Sequence, residues 1–469
     1  MRGLDPVRVP RVNRERDASL LRSPFHLTIL LAAFASSGVV VWWRELRGAS
    51  WLSSPEFSGY AGFFRAQAEA MAAGSFAVPD SALGDECYQV GSSCVGYFGI
   101  TPSILRLPFV LVGLEGDLTP LFVSVGYLLA VAMSLCLLGV LWLMLVSRRE
   151  RRTLKSRVLF GSLAVLGGPG SLALMAAEKD VADEAVLWGV GFMLATLVAV
   201  TLYIRDGKHL WLWLASVAAC LAVGSRPSFV FSTIAVGIVV GVWQVARKQA
   251  LKSQISSFVL IVAPPITLGG TYLLKFGTIF PDQNMNRFIA TSPAWRSILD
   301  ANGGRFFGLD FIPTHVWDFF RPDALHYKLE YPRGIFFTQS TVLWPVESSE
   351  IYREPAASLT NLVPVGILLA LVLLVAVSAS AHIRSIPNLR ILTAVGLASG
   401  AGLFATWGHV AMTNRYLVDA WPVTVMLSFL GGSLLARQLP ANSRWTIPTT
   451  VLITGLTAIG LVTVLVVMR

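Results

Sequence analysis

Apolar runs of roughly twenty residues recur along this chain from one end to the other, and no other feature constrains its fold as tightly. At about 1.5 Å per residue, each run is long enough to cross a hydrocarbon layer of roughly 30 Å as a helix, which satisfies its own backbone hydrogen bonds in lipid. The runs lie near 26–43, 118–146, 158–177, 185–204, 209–224, 229–245, 257–275, 358–380, 390–411, 416–436 and 446–468. They predict an all-α polytopic membrane protein of about 11 transmembrane helices, with two long extracytoplasmic loops. Charge agrees: only 14% of the residues are Asp, Glu, Lys or Arg, where a soluble domain carries about a quarter.

Basic residues orient the bundle. Arg2, Arg8, Arg11, Arg14, Arg16 and Arg22 precede the first run, and Arg148, Arg149, Arg151, Arg152, Lys155 and Arg157 follow the second. The positive-inside rule places both segments in the cytoplasm. The net charge of +10 then reflects membrane orientation and anionic lipid rather than nucleic acid, and no aromatic-plus-basic groove argues for RNA or DNA. The first run ends at Trp42-Trp43-Arg44 without a small-residue cleavage site. It reads as an anchor with an interfacial tryptophan belt, not as a signal peptide. The expected organisation is a basic cytoplasmic tail (1–25), a transmembrane core (26–275) containing a first outer loop at 44–117, a second long outer loop (276–357) and C-terminal transmembrane helices (358–469).

The first outer loop is where chemistry is expected. Residues 59–74 have helical composition, and 104–114 is apolar but too short to span, so it fits a surface-lying or re-entrant segment. Between them stand Cys87 and Cys94, separated by the turn-rich Tyr-Gln-Val-Gly-Ser-Ser. Outside the cytoplasm such a pair suits a disulfide closing a small hairpin, the alternative being two reduced thiols. Cys136 and Cys220 lie inside runs and read as packing residues. The shorter outer turns are rich in ionisable groups: Asp180, Asp183 and Glu184 in one, Ser225-Arg226-Pro227 in another, Arg415-Tyr416 with Asp419 in a third. No charge sits mid-run, which argues against an ion relay through the bilayer.

These pieces, in this order, resemble the type C (GT-C) superfamily of membrane glycosyltransferases, and more narrowly its actinobacterial members. The matching segments are Phe64-Arg65-Ala66-Gln67-Ala68-Glu69-Ala70, the run from Gly84 to Cys87 with Tyr97-Phe98-Gly99 and Leu105-Arg106-Leu107-Pro108, Asp183-Glu184-Ala185-Val186-Leu187-Trp188-Gly189, Ser225-Arg226-Pro227, Tyr272-Leu273-Leu274-Lys275-Phe276-Gly277 and Arg415-Tyr416. The resemblance implies a cytoplasmic N-terminus, two in-plane helices in the first outer loop, and transfer of a sugar from a polyprenyl-phosphate carrier to an envelope glycan, lipid or protein at the outer face of the cell membrane. One departure stands out. The superfamily usually places an Asp shortly after the first span, whereas this chain offers Glu45 and Glu56, and Arg65 stands where some relatives have an acid.

Such a transfer needs a carboxylate to take the acceptor proton, cations or a divalent metal to stabilise the departing phosphate, and aromatic walls for the carrier and sugar. The candidate bases are Glu56 and Glu86, with Asp85 adjacent. Asp180, Asp183 and Glu184 are candidates for substrate positioning, with Asp180 and Asp183 as metal ligands. Asp183 and Glu184 also stand where the next helix begins, so macrodipole stabilisation competes as an explanation. Arg226 and Arg415 are the leading phosphate ligands, against simple snorkelling of helix-end cations. Arg106 and Lys275 are weaker versions of the same idea, and Tyr97 joins the substrate-binding group. His315, His326 and His409 are further acid-base candidates. Two other readings remain open: an envelope polysaccharide polymerase or ligase working through the second outer loop, and a lipid-linked-sugar flippase or transporter. The latter would use helix breaks such as Gly167-Gly168-Pro169-Gly170 and Pro264-Pro265.

Overall fold

The computed structural model describes residues 23–46, 62–83, 87–116, 118–168, 181–279, 296–297, 300–305, 307–328, 334–337, 352–353, 357–409, 411–412, 414–438 and 446–467. Helices dominate. Helix α1 (Pro24–Leu46) leads to α2 (Phe63–Ala72), a hairpin of β1 (Cys87–Val90) and β2 (Ser93–Gly96), and α3 (Thr101–Leu111). A run of longer helices follows: α4 (Thr119–Leu145), α5 (Leu154–Gly167), α6 (Val181–Asp206), α7 (Leu210–Ser225), α8 (Phe229–Ala246) and α9 (Leu251–Phe276). After these come α10 (Ile312–Phe320), the β3–β4 hairpin (Leu325–Lys328 with Gly334–Phe337), α11 (Pro364–Ala379), α12 (Leu389–Ala398), α13 (Leu403–Trp407), α14 (Asn414–Asp419), α15 (Trp421–Gln438) and α16 (Thr446–Val467).

Among the described residues, 5 helical segments are long and apolar enough to cross a bilayer: Thr119–Leu145, Ala182–Asp206, Phe229–Ala246, Ser253–Phe276 and Leu389–Trp407. Shorter apolar helices lie in the predicted runs at 26–43, 209–224, 358–380 and 446–468, and one more, Thr101–Leu111, lies in the first loop. The chain is a multi-pass membrane protein.

Two places differ from the sequence expectation. Pro264 and Pro265 do not break their run, since α9 continues through both. Neighbouring helices make such prolines tolerable in lipid, and α8 packs close by, where a Cβ on Gly237 would come within 2.6 Å of the Ile261 side chain. The run at 390–411 does break, between Ser399 and Gly402. Ser232 of α8 repairs the gap: its hydroxyl donates to the Ser399 carbonyl at 2.7 Å and accepts from the Gly402 amide at 2.9 Å. Backbone groups freed inside lipid need such partners.

The core runs between α4, α6, α7, α8 and α15, around Tyr127, Leu138, Trp142, Val186, Leu197, Val236 and Phe429. The two ends of the bundle are finished differently. At one end α6, α8 and α9 share a neutral network in which Tyr203 meets Gln249 and Ser253, both at 2.6 Å, while Gln244 donates to Tyr203 and accepts from Ser257. The other end, called here the loop end, is finished by charged pairs and by the segment from α2 to α3.

Candidate functional site

The loop end is assembled around α3. Its first residues lie against the C-terminal turn of α7 so closely that only glycine fits. A Cβ on Gly99 would sit 2.0 Å from the Gly224 carbonyl oxygen, and one on Gly224 would sit 2.5 Å from the Thr101 hydroxyl. Thr101 also donates to the Leu221 carbonyl at 3.1 Å. One turn on, Arg106 reaches the first turn of α6 and grips Glu184 with both terminal nitrogens: Nη1 donates to Oε1, and Nη2 donates to Oε2 at 2.7 Å. Phe122 of α4 covers the guanidinium, with its ring centroid 4.0 Å from Cζ. Both partners are fully buried, and a planar, bidentate pair is the geometry in which Arg best repays its desolvation.

Helix α2 closes over α3. Phe63, Phe64 and Gln67 are buried, Gln67 accepts from Ser103 at 2.7 Å, and the Phe63, Phe64 and Phe98 rings form a cluster. Tyr97 is partly buried and stacks on Phe98 at 4.2 Å. Arg65, where an acid was expected by resemblance, instead ties α2 to the turn after α3: its Nη1 donates to the carbonyls of Leu114 and Gly116 at 2.8 and 2.6 Å. The hairpin between the two helices carries the Cys87–Cys94 disulfide, with 5.4 Å between the Cα atoms. Lys275, at the end of α9, reaches back to donate to the Phe98 carbonyl at 2.7 Å.

Arg226 follows the α7–α3 contact by two residues. It is paired with Asp419, the last residue of α14: Nη2 donates to Oδ2 at 2.9 Å, and Nε lies 3.2 Å from Oδ1. Thr406 donates to the same carboxylate at 3.0 Å. Unlike Arg106, the Arg226 side chain keeps 16% of its surface exposed. The ring of Tyr416 lies 5.2 Å from its Cζ, and Tyr416 in turn meets His409 at 3.4 Å. Burial opposes the Arg226 charge, but Asp419 more than offsets it and raises its pKa above the usual guanidinium value, while the nearby Arg415 charge pulls it down. Arg415 is partly exposed. Arg226, in the turn after α7, thus lies within electrostatic reach of Arg415 of α14, at a partly open corner beside a tyrosine and a histidine.

The structure brings together Arg106 with Glu184, Tyr97 and Lys275 with the α2–α3 segment, and Arg226 with Arg415. Glu56, Asp85, Glu86 and Asp180 lie outside the described residues. Asp183 is buried in the first turn of α6, and both Glu184 oxygens are taken by Arg106. Of the two metal-ligand candidates, Asp183 alone lies among the described residues. Among the described residues, the one cluster of three ligand residues, Asp80, Cys87 and Cys94, has its two sulfurs joined to each other. His315 is fully buried, with Nδ1 2.6 Å from the Trp407 carbonyl, and His326 lies on β3 with its side chain outside the described residues. Sequence reasoning assigned Arg106 to phosphate and did not foresee its pairing with Glu184. The shared signal was available only as a basic and an acidic residue in separate segments between apolar runs. Phe122 and Thr406 gave no signal at all, because an aromatic or a threonine in an apolar run reads as packing.

No family model matches the sequence, and no curated protein matches it. Among solved structures, the chain is similar to the archaeal oligosaccharyltransferase AglB from Archaeoglobus fulgidus in complex with an inhibitory peptide and a dolichol-phosphate, at 14% identity over 95% of this chain and 56% of that one, with a TM-score of 0.48. It is likewise similar to the Archaeoglobus fulgidus oligosaccharyltransferase in the apo form, at 14% identity over 96% and 56%, with a TM-score of 0.46. The chain spans about half the length of these structures. Neither ties it to the actinobacterial members of the GT-C type, and a likeness at this level says nothing of what this chain binds.

Proposed function

We propose that this chain is a GT-C-type membrane glycosyltransferase, with all eleven apolar runs crossing the cell membrane, the N-terminus in the cytoplasm and the loop end facing outward. It would transfer a sugar from a polyprenyl-phosphate donor to an envelope acceptor. The observation that carries this reading is the corner where Arg226 feels the charge of Arg415, two residues past the contact between the first loop and α7. In the reaction, a carboxylate from the first loop, Glu56 or Glu86, takes the acceptor hydroxyl proton. The acceptor oxygen bonds to the anomeric carbon as the bond from that carbon to the phosphate oxygen breaks, with inversion. Arg415, with Arg226 held in place by Asp419, receives the charge on the departing polyprenyl phosphate. Tyr416 and Tyr97 supply aromatic surface near the sugar.

Two findings favour transfer over the other readings. The late-loop His315 is buried against the Trp407 carbonyl, so it is poorly placed to serve a polymerase or ligase. Pro264 and Pro265 lie within an unbroken helix, which removes one of the two breaks expected of a flippase. Binding of polyprenyl phosphate to the purified chain in nanodiscs, followed by native mass spectrometry, tests the proposal. Arg415→Ala is expected to weaken binding at least about 10-fold, equivalent to roughly 1.4 kcal/mol. Unchanged binding in that variant would remove the phosphate assignment.

A further inference from the structure

Helix α10, in the late loop, has its polarity reversed relative to a helix in water. Its buried side carries Thr314, His315 and Asp318 along with Phe319, and Arg321, just past its end, is only 2% exposed. Its open side is apolar. Leu309, in the turn leading into it, is 84% exposed and Phe320, at its end, is 39% exposed. Pro313 is exposed between them, and Ile312, Val316 and Trp317 are partly so. These positions recur at helical spacing along one stripe. A surface helix in water shows the opposite arrangement, with its apolar stripe inward and its charges outward.

Three contacts fix the position of this helix. His315 is bonded to the Trp407 carbonyl, and the Phe319 ring meets the Trp407 ring edge-on at 5.7 Å. Trp407 ends the candidate span Leu389–Trp407. The Phe320 carbonyl accepts from Thr360 at 3.1 Å, a few residues before α11 begins. The polar side of α10 therefore rests on the loop ends of two apolar helices, and its apolar side faces away from them. Phe404, on the same candidate span, is 64% exposed and meets Trp407 edge-on at 5.8 Å. The apolar side of α10 thus continues the lipid-facing surface of that span around the loop end.

We propose that the bilayer itself covers this side: α10 lies in the plane of the membrane at the boundary of headgroups and acyl chains, with Leu309 and Phe320 dipping into the lipid. An in-plane helix of this kind needs an apolar face on the lipid side and a polar face away from it, and here the polar face is occupied by the protein. The consequence is positional. Trp407, His409 and Tyr416 are held at lipid level by an anchor distinct from the spans. The inference needs only the membrane setting and does not depend on the transferase reading.

The test uses full-length protein with Cys136 and Cys220 replaced by Ala and the Cys87–Cys94 disulfide intact. Leu309→Cys, Phe320→Cys and, as a polar control, Arg305→Cys are each labelled with an environment-sensitive NBD probe and reconstituted in phosphatidylcholine–phosphatidylglycerol vesicles. Arg305 is 58% exposed on its side chain. The expected result is that both the 309 and 320 probes emit to the blue of the 305 probe. Lipid spin-labelled at acyl carbon five should quench them at least about twofold more than it quenches the 305 probe, and aqueous iodide less. If either probe is quenched by iodide as strongly as the 305 probe, or escapes quenching by the spin-labelled lipid, the proposal is overturned.

Discussion

Two arginines at the loop end have the same chemical partner and opposite surroundings. Arg106 and Glu184 are sealed under Phe122, and each guanidinium terminal nitrogen has a carboxylate oxygen to itself. Arg226 and Asp419 share their pair with Thr406, keep part of the arginine side chain exposed, and feel the charge of a second cation, Arg415. A sealed pair can only hold helices together, because no outside group can reach it. A partly open pair next to a second, partly exposed cation can also receive an anion. The difference separates a structural clamp from a candidate site within one end of the same bundle.

The strongest challenge to that division is Glu184→Ala. It leaves the Arg106 charge buried without its partner, and should cost about 3–5 kcal/mol in detergent unfolding measurements. The double replacement Arg106→Met with Glu184→Leu should recover most of that loss, because a well-packed apolar pair often matches a buried ion pair. A double variant as unstable as Glu184→Ala would mean that Arg106 has a further role. Next in size is Gly99→Ala. Its Cβ has nowhere to go but the Gly224 backbone, so the segment must shift, at a cost of about 1–3 kcal/mol. The same thermal measurement checks it. Asp419→Asn is expected to cost only about 1 kcal/mol, since Asn keeps one acceptor for Arg226 and solvent reaches the pair. A loss as large as that of Glu184→Ala would erase the contrast. The smallest stability effect is predicted for Arg415→Ala, within about 0.5 kcal/mol as for an ordinary partly exposed residue, although this variant is the one expected to lose polyprenyl-phosphate binding.

Much of this architecture was legible because the bilayer imposes a single strong rule. Apolar runs of spanning length, such as 118–146 and 185–204, became α4 and α6 with little change, and the hairpin between α2 and α3 followed from Cys87, Cys94 and the turn residues between them. What sequence could not show was pairing across the bundle. Arg106 and Arg226 look alike as lone arginines among apolar residues. Their fates differ because Glu184 and Asp419 approach them from distant segments at different depths. The break at Ser399–Gly402 was likewise hidden in an apolar run, since its repair depends on a single serine hydroxyl from α8. Polarity within the second long loop was visible only once α10 showed which face it turned toward the protein.

The central claim is that the open arginine corner receives the phosphate of a lipid carrier. Photo-crosslinking tests it directly: the full chain in nanodiscs is exposed to a polyprenyl phosphate bearing a diazirine next to the phosphate, then digested and mapped. The account predicts adducts in peptides carrying Ser225–Pro227 and His409–Asp419, suppressed in Arg415→Ala. Adducts confined to the Tyr203–Gln249 end, or unchanged adducts in Arg415→Ala, would contradict it.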